Sequence, residues 1–123
     1  MYAELHCHSA FSFLDGASLP EDLAAEAQRL GYSALALTDH NGLYGAMAFA
    51  HSAQSRGLQA ITGAEVTLAD GAHLTLLAET PRGYANLCRL LTEAHLGRED
   101  RRDPRLALAS LEARQEGLIL LSG

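Results

Sequence analysis

The run Ser33-Ala34-Leu35-Ala36-Leu37 carries almost no polar side chain and stands between two segments with helical apolar spacing. A strand that dry is buried on both faces, and such strands belong to parallel sheets covered by helices. Upstream, Ser18-Leu19-Pro20-Glu21 reads as a capping box with Ser18 as N-cap, and Leu23, Ala24, Ala27 and Leu30 repeat at helical spacing up to Gly31. The predicted first helix runs from Leu19 to Leu30. A second is predicted from Leu43 to Arg56, with Ala46, Met47, Ala50 and Ala53 inward and His51 solvated or packed, and it stops at Gly57.

Leu58 to Ile61 reads as the next strand, and Asp70-Gly71 is a hairpin signal between Val66–Leu68 and His73–Ala78. Thr80-Pro81 opens a further helix, whose buried face would be Tyr84, Leu87, Cys88, Leu91 and Ala94. Gly97 closes it, with His95 exposed near its end. Residues 98–105 form a mixed-charge connector, Ser110 to Glu116 a short helix, and Leu118 to Leu121 a buried strand. Strand, helix, strand, helix, strand, hairpin, helix, strand is an α/β pattern, about half of a barrel or a small open sheet.

The chemistry-bearing residues collect where these strands meet loops. The apolar strand from Tyr2 to Leu5 runs into His6-Cys7-His8. Alternate residues of an extended chain share a face, so the two imidazoles project together and Cys7 projects away. Asp15 follows on a turn closed by Gly16. Thr38-Asp39-His40-Asn41-Gly42 ends the dry strand, Gly63-Ala64-Glu65 follows the third, and His73 starts the last strand of the hairpin. Each has a plain structural alternative. Asp15 and Asp39-His40-Asn41-Gly42 suit turns, Glu65 suits an exposed strand end, and His73 suits a cross-strand pair.

Taken together, His6, His8, Asp15, His40, Glu65 and His73 offer imidazole and carboxylate ligands that suit Zn, Mn or Fe over Ca or Mg. In barrels, the loops after the strands' C-terminal ends build the active site. Paired ions can clamp both oxygens of a displacement at phosphorus, so hydrolysis of a phosphoester is the expected chemistry. No Gly-x-Ser-x-Gly nucleophile elbow and no Gly-rich phosphate loop occurs.

Composition narrows the field further. The 123 residues suffice for one modest core, and 48% hydrophobic with 20% charged residues is ordinary for a globular chain. A net charge of −6 and a pI near 5.4 argue against a broad basic surface for duplex DNA, so bound cations would have to meet a phosphate. No run is apolar enough to span a bilayer and no secretory signal is visible. The two cysteines, Cys7 and Cys88, share no motif, which predicts a reduced, cytoplasmic protein with no membrane partner.

The sequence resembles a PHP (polymerase and histidinol phosphatase) domain, and more narrowly the N-terminal PHP domain of bacterial C-family DNA polymerases of the error-prone, polymerase III alpha-like branch. The resemblance rests on Tyr2-Ala3-Glu4-Leu5-His6-Cys7-His8-Ser9, Phe11-Ser12-Phe13-Leu14-Asp15-Gly16-Ala17-Ser18 and Leu37-Thr38-Asp39-His40. It continues through Gly63-Ala64-Glu65, His73 to Ala78, Gly83-Tyr84-Ala85-Asn86-Leu87 and Gly117 to Gly123. It implies a distorted βα (TIM-like) barrel with up to three divalent ions. By motif, His6, His8 and Glu65 would hold the first ion and Asp15 and His40 the second, with Glu65 bridging to a third beside His73. His6, His8, His40 and Glu65 would be the catalytic set. The implied activity is a metal-dependent 3′–5′ exonuclease in DNA replication or repair, acting on a DNA 3′ end or another phosphate ester.

The family pattern also has a Cys or His right after the Ser-Gly that matches Ser122-Gly123, and an Asp-x-His further on. Neither is present, so each ion would lose one ligand. The expectation is a single unit over 1–123, the N-terminal part of a PHP domain cut before the barrel closes, with the remainder of a polymerase as its partner. Two other readings stay open. One is a stand-alone phosphatase for a small phosphomonoester, of the histidinol-phosphatase kind. The other is a non-catalytic remnant that binds a partner or forms a homo-oligomer through its open sheet edge.

Overall fold

A computed structural model describes residues 2–12, 18–97 and 103–122. The elements are β1 (Ala3–Cys7), a 3-10 turn (Ala10–Ser12), α1 (Pro20–Arg29), β2 (Ala34–His40), α2 (Ala46–Ser55), β3 (Gln59–Thr67), β4 (His73–Ala78), α3 (Pro81–Leu96), α4 (Leu108–Ala113) and β5 (Leu118–Ser122). The five strands form one sheet in the order β1-β2-β3-β4-β5. β1, β2 and β3 are mutually parallel, β4 runs antiparallel to β3, and β5 antiparallel to β4. The sheet curls as a half-barrel of mixed α/β type, as expected.

Period-two alternation sorts the strand residues. On one face Leu35 and Leu37 of β2 pack with Ala24, Ala27, Phe49, Ala53 and Leu58 beneath α1 and α2. Ala64 and Val66 of β3 and Leu76 of β4 pack with Leu87, Leu90, Leu91 and Ala94 of α3 and Leu111 of α4. The helices therefore cover one side only. The opposite, concave face carries His40, Glu65, His73 and Thr75.

Several expectations change in detail. Ser18 is not the N-cap of α1. Leu19 is, with no side-chain cap, and the Ser18 carbonyl accepts from Ala10 N at 2.7 Å. α2 starts at Ala46, later than expected; its buried stripe is Phe49 and Ala53, while Met47 is 83% exposed and Ala50 is exposed. His51 is exposed. Thr80 caps α3 as expected, accepting from Gly83 N at 3.0 Å, but Tyr84 is exposed and Cys88 only half-buried. β5 is not a buried strand: Ile119 and Leu120 are exposed. Only part of the charged connector is described, and there Arg105 pairs with Asp103 at 3.0 Å.

Candidate metal centre

Glu65 stands at the middle of four imidazoles. It is not an exposed strand end: it lies within β3, 5% exposed, because β3 runs on through Thr67 into the hairpin. Its Oε2 lies 3.2 Å from His6 Nε2, 2.6 Å from His8 Nε2 and 3.4 Å from His40 Nδ1. Its Oε1 lies 2.9 Å from His73 Nδ1. Successive rings lean on one another, with centroids 4.9 Å apart for His6–His8, 4.3 Å for His8–His40 and 5.7 Å for His40–His73.

Strand register produces this cluster. His40 is the Cα partner of Glu65 in the parallel β2–β3 ladder, and His73 is the partner of Thr67 in the antiparallel β3–β4 ladder. Glu65, Thr67 and therefore His73 share a face. His6 and His8 arrive from β1, whose pairing with β2 shifts between Glu4 and Cys7. Thr38, fully buried, repairs that irregular stretch: its Oγ1 accepts from Cys7 N at 3.1 Å and reaches the Cys7 carbonyl at 3.3 Å.

Asp39 does the equivalent work on the other face. It is not a turn residue but a buried member of β2. Its carboxylate accepts from Ser9 N at 2.6 Å, Ser9 Oγ at 2.7 Å and Ser12 Oγ at 2.7 Å. Ser12 Oγ in turn accepts from His40 N at 3.0 Å. The segment that carries His8 is thus tied to the strand that carries His40.

The electrostatics follow from one acid among bases. Burial pushes the Glu65 carboxyl up, but the hydrogen bond from His6 and the charges of His40, His8 and His6 outweigh it, so Glu65 titrates below its ordinary range. Burial, with Glu4 and Asp39 nearby, pushes the Cys7 thiol up and keeps it protonated. No arginine joins the ion pairs of Glu65 among the described residues.

This donor set fits a divalent metal. His6, His8 and Glu65 present ligand atoms within 4.8 Å of one another, and so do His40, Glu65 and His73. The Nε2 atom of His8 is buried and accepts or donates no hydrogen bond, although Glu65 is so near. A buried, unpaired imidazole nitrogen is costly in the protein alone and suits a ligand to an ion. Asp15 lies outside the described residues. The remaining five candidates come together, and the family-based grouping of His40 with Asp15 is joined by a second grouping, with His73 across Glu65. Sequence reasoning missed the buried network of Ser9, Ser12, Thr38 and Asp39. It also placed His95 at the surface, whereas its ring is half-buried with Nε2 2.6 Å from the Asn41 carbonyl.

Comparison with known proteins shows the family. The model of the PHP domain matches residues 4–123. The chain belongs to the PHP domain family. It is 52% identical to an error-prone DNA polymerase of Symbiobacterium thermophilum over 99% of this chain and 13% of that protein. It is 51% identical to the error-prone DNA polymerase of Mycobacterium tuberculosis over 85% of this chain and 10% of that protein. The PHP chain thus spans about one eighth or less of these curated relatives, and it matches the N-terminal PHP domain of C-family polymerases. Among solved structures it is similar to an amidohydrolase from Chromobacterium violaceum with bound sulfate and no metal (TM-score 0.65, 31% identity, 79% of this chain and 34% of that one). It is also similar to a protein of Bifidobacterium adolescentis described as a candidate metal-dependent phosphoesterase (TM-score 0.59, 26% identity, 78% and 35%). No helix among the described residues is long and apolar enough to cross a membrane.

Proposed function

We propose that this chain is the phosphoesterase part of an error-prone-type DNA polymerase and hydrolyses phosphodiesters at DNA 3′ ends. The observation that carries the reading is the single carboxylate of Glu65 shared by four imidazoles from three strands. His6, His8 and Glu65 would hold one ion. His40 with Asp15, and His73 across Glu65, would hold the others. Zn, Mn or Fe suits this nitrogen-rich set. Bound ions would supply Lewis-acid polarisation of a phosphoryl oxygen and activation of water.

The residues themselves set the local charge and the geometry. Neutral imidazoles bring nitrogen lone pairs without charge, and Glu65 and Asp15 bring one negative charge each, fewer than the charges of two or three divalent ions. The filled site would therefore be positive in a chain of net charge −6, which favours a phosphate at this place. Asp39, Ser9 and Ser12 fix the His8 and His40 segments before substrate arrives, which lowers the reorganisation that binding requires. A 1–123 unit that forms the first part of a barrel, completed by the rest of a polymerase chain in the cytoplasm, accompanies this reading. β5 has no strand on its outer side among the described residues, and its Ser122 lies opposite Leu74, next to His73.

Elemental mass spectrometry of the purified chain and of a His6→Ala/His8→Ala variant tests the metal. One or more equivalents of Zn, Mn or Fe in the parent, reduced in the variant, is the expected result. Release of nucleotides from a 3′-labelled DNA primer by the loaded parent tests the substrate. Turnover of a small phosphomonoester with none on DNA would favour a free-standing phosphatase. Absence of bound metal, with mass rising with concentration, would favour a non-catalytic, self-associating remnant.

A further inference from the structure

We infer that His95, at the far end of α3, is a positioning residue for the His40 side of the metal centre, acting through the backbone of Asn41. The inference rests on the metal reading above and deepens it.

Asn41 follows His40 directly and is the one non-glycine residue at positive φ (52°) among the described residues. Left-handed backbone is unfavourable for most side chains, and Asn tolerates it best after glycine. Asn41 is held there by four hydrogen bonds. Its N–H donates to the Glu65 carbonyl at 2.7 Å. Its Oδ1 accepts from Thr67 N at 3.0 Å, and its Nδ2 donates to Thr67 Oγ1 at 3.2 Å. Its carbonyl accepts from His95 Nε2 at 2.6 Å.

The first three bonds lie between β2 and β3 and extend their ladder past its last pair, His40↔Glu65. The fourth is different in kind. It is the only one of the four that comes from the helix layer, and a carbonyl can only accept, so His95 Nε2 must carry the proton. The neighbouring Leu91 and Ala94 already pack α3 onto the sheet. His95, half-buried, spends its polar tip on one peptide. That peptide, Asn41–Gly42, is the one after the peptide that joins His40 to Asn41, and it opens the turn before α2. His40 N stays held by Ser12 Oγ and by the β2–β3 ladder, but without the donor the turn after it can relax from the left-handed region and the His40 ring loses its fixed approach to Glu65. The His6–His8 arm is anchored elsewhere, through Thr38 and Asp39.

The test is titration of the metal-free protein, at its native length, with Co²⁺ against a chromophoric chelator, following stoichiometry, affinity and the visible spectrum. The variants are His95→Leu, His95→Gln and, as control, the exposed His51→Ala. His95→Leu keeps volume without a donor, and His95→Gln keeps an amide N–H near the place of Nε2. Loss of an outer hydrogen bond to a ligand environment typically weakens metal binding about 10–100-fold. The expected result is at least about tenfold weaker binding of one equivalent in His95→Leu, with a changed spectrum. The other equivalent and His51→Ala should be unchanged, and His95→Gln should recover most of the affinity. If His95→Leu lowers only the melting temperature and binds Co²⁺ like the parent, His95 merely ties α3 down and the inference is wrong. If the parent itself binds no Co²⁺, the metal reading fails and takes this inference with it.

Discussion

His8 Nε2 stands 2.6 Å from Glu65 Oε2, nearer than any other imidazole, yet the two are not aligned for a hydrogen bond. Two donors converging without a proton between them are disposed to share an ion. Glu65 belongs to both three-residue groups, whereas His8 belongs to one and His73 to the other. Glu65→Ala should therefore abolish metal binding altogether, while His8→Ala and His73→Ala should each remove a fraction of it. Elemental analysis of the three variants checks the ranking. Equal losses in all three would mean a single site.

Acid should act on this centre twice. In the metal-loaded protein, imidazole must be neutral to bind, so protons compete with the ion and metal is released as pH falls. In the metal-free protein the sign follows from Glu65. Its carboxyl titrates lower in the fold than in the unfolded chain, so the unfolded chain binds more protons on acidification. The stability it contributes is full above the ordinary glutamate range and is lost as pH falls through the lower, folded value. Urea unfolding of the metal-free protein across that range should show the decline, and Glu65→Gln should flatten it.

Much of this was legible in the sequence, for a physical reason. Dry strands, amphipathic helices and Asp70-Gly71 are local signals, and His6-x-His8, His40 and Glu65 are side chains whose chemistry announces itself. What was not legible depends on placement. The α2 stripe moved from Met47 and Ala50 to Phe49 and Ala53, an i, i+4 pair, because the large Phe49 ring goes to the core and Met47, two residues away, then points outward. β5 looked buried from its Leu118-Ile119-Leu120-Leu121 run, but helices cover only one side of the half-barrel and nothing described pairs with its outer edge. His95 and Asn41 are 54 residues apart, and no local pattern connects them.

Asp39 should prove the strongest determinant of the arrangement that is not itself a ligand candidate. It is 2% exposed and gathers two hydroxyls and one backbone N–H. Hydrogen bonds to a charged group are worth about 1.5–3 kcal/mol each, and donors left unpaired in the interior add their own cost. Asp39→Asn keeps the shape but removes the charge and turns one oxygen into a donor, which the serine hydroxyls can meet only by rotating and the Ser9 N–H cannot meet at all. A loss of about 2–4 kcal/mol in chemical denaturation is expected, larger than for Ser12→Ala. A neutral Asp39→Asn would mean that the carboxylate is not what holds the His8 segment to β2.

Gly83 sets two general effects against each other. It occupies the first turn of α3, where Ala would ordinarily gain about 0.5–1 kcal/mol over Gly through helix propensity. Here a Cβ would run into the backbone carbonyl of Gly117, in the turn that feeds β5. Neither side can yield easily. Gly117 has φ 79°, and its carbonyl is fixed by Glu79 N at 2.8 Å. Gly83 N is committed to the Thr80 cap. Overpacking of a close backbone crossing typically costs about 1–3 kcal/mol, so it should outweigh the propensity gain. Gly83→Ala is expected to lower the denaturation midpoint and to loosen β5 first, seen as faster amide exchange from Ile119 to Leu121 than in β2. A stabilised Gly83→Ala would show that α3 and the β5 turn are not in backbone contact, and the seating of β5 beside His73 would then need another cause.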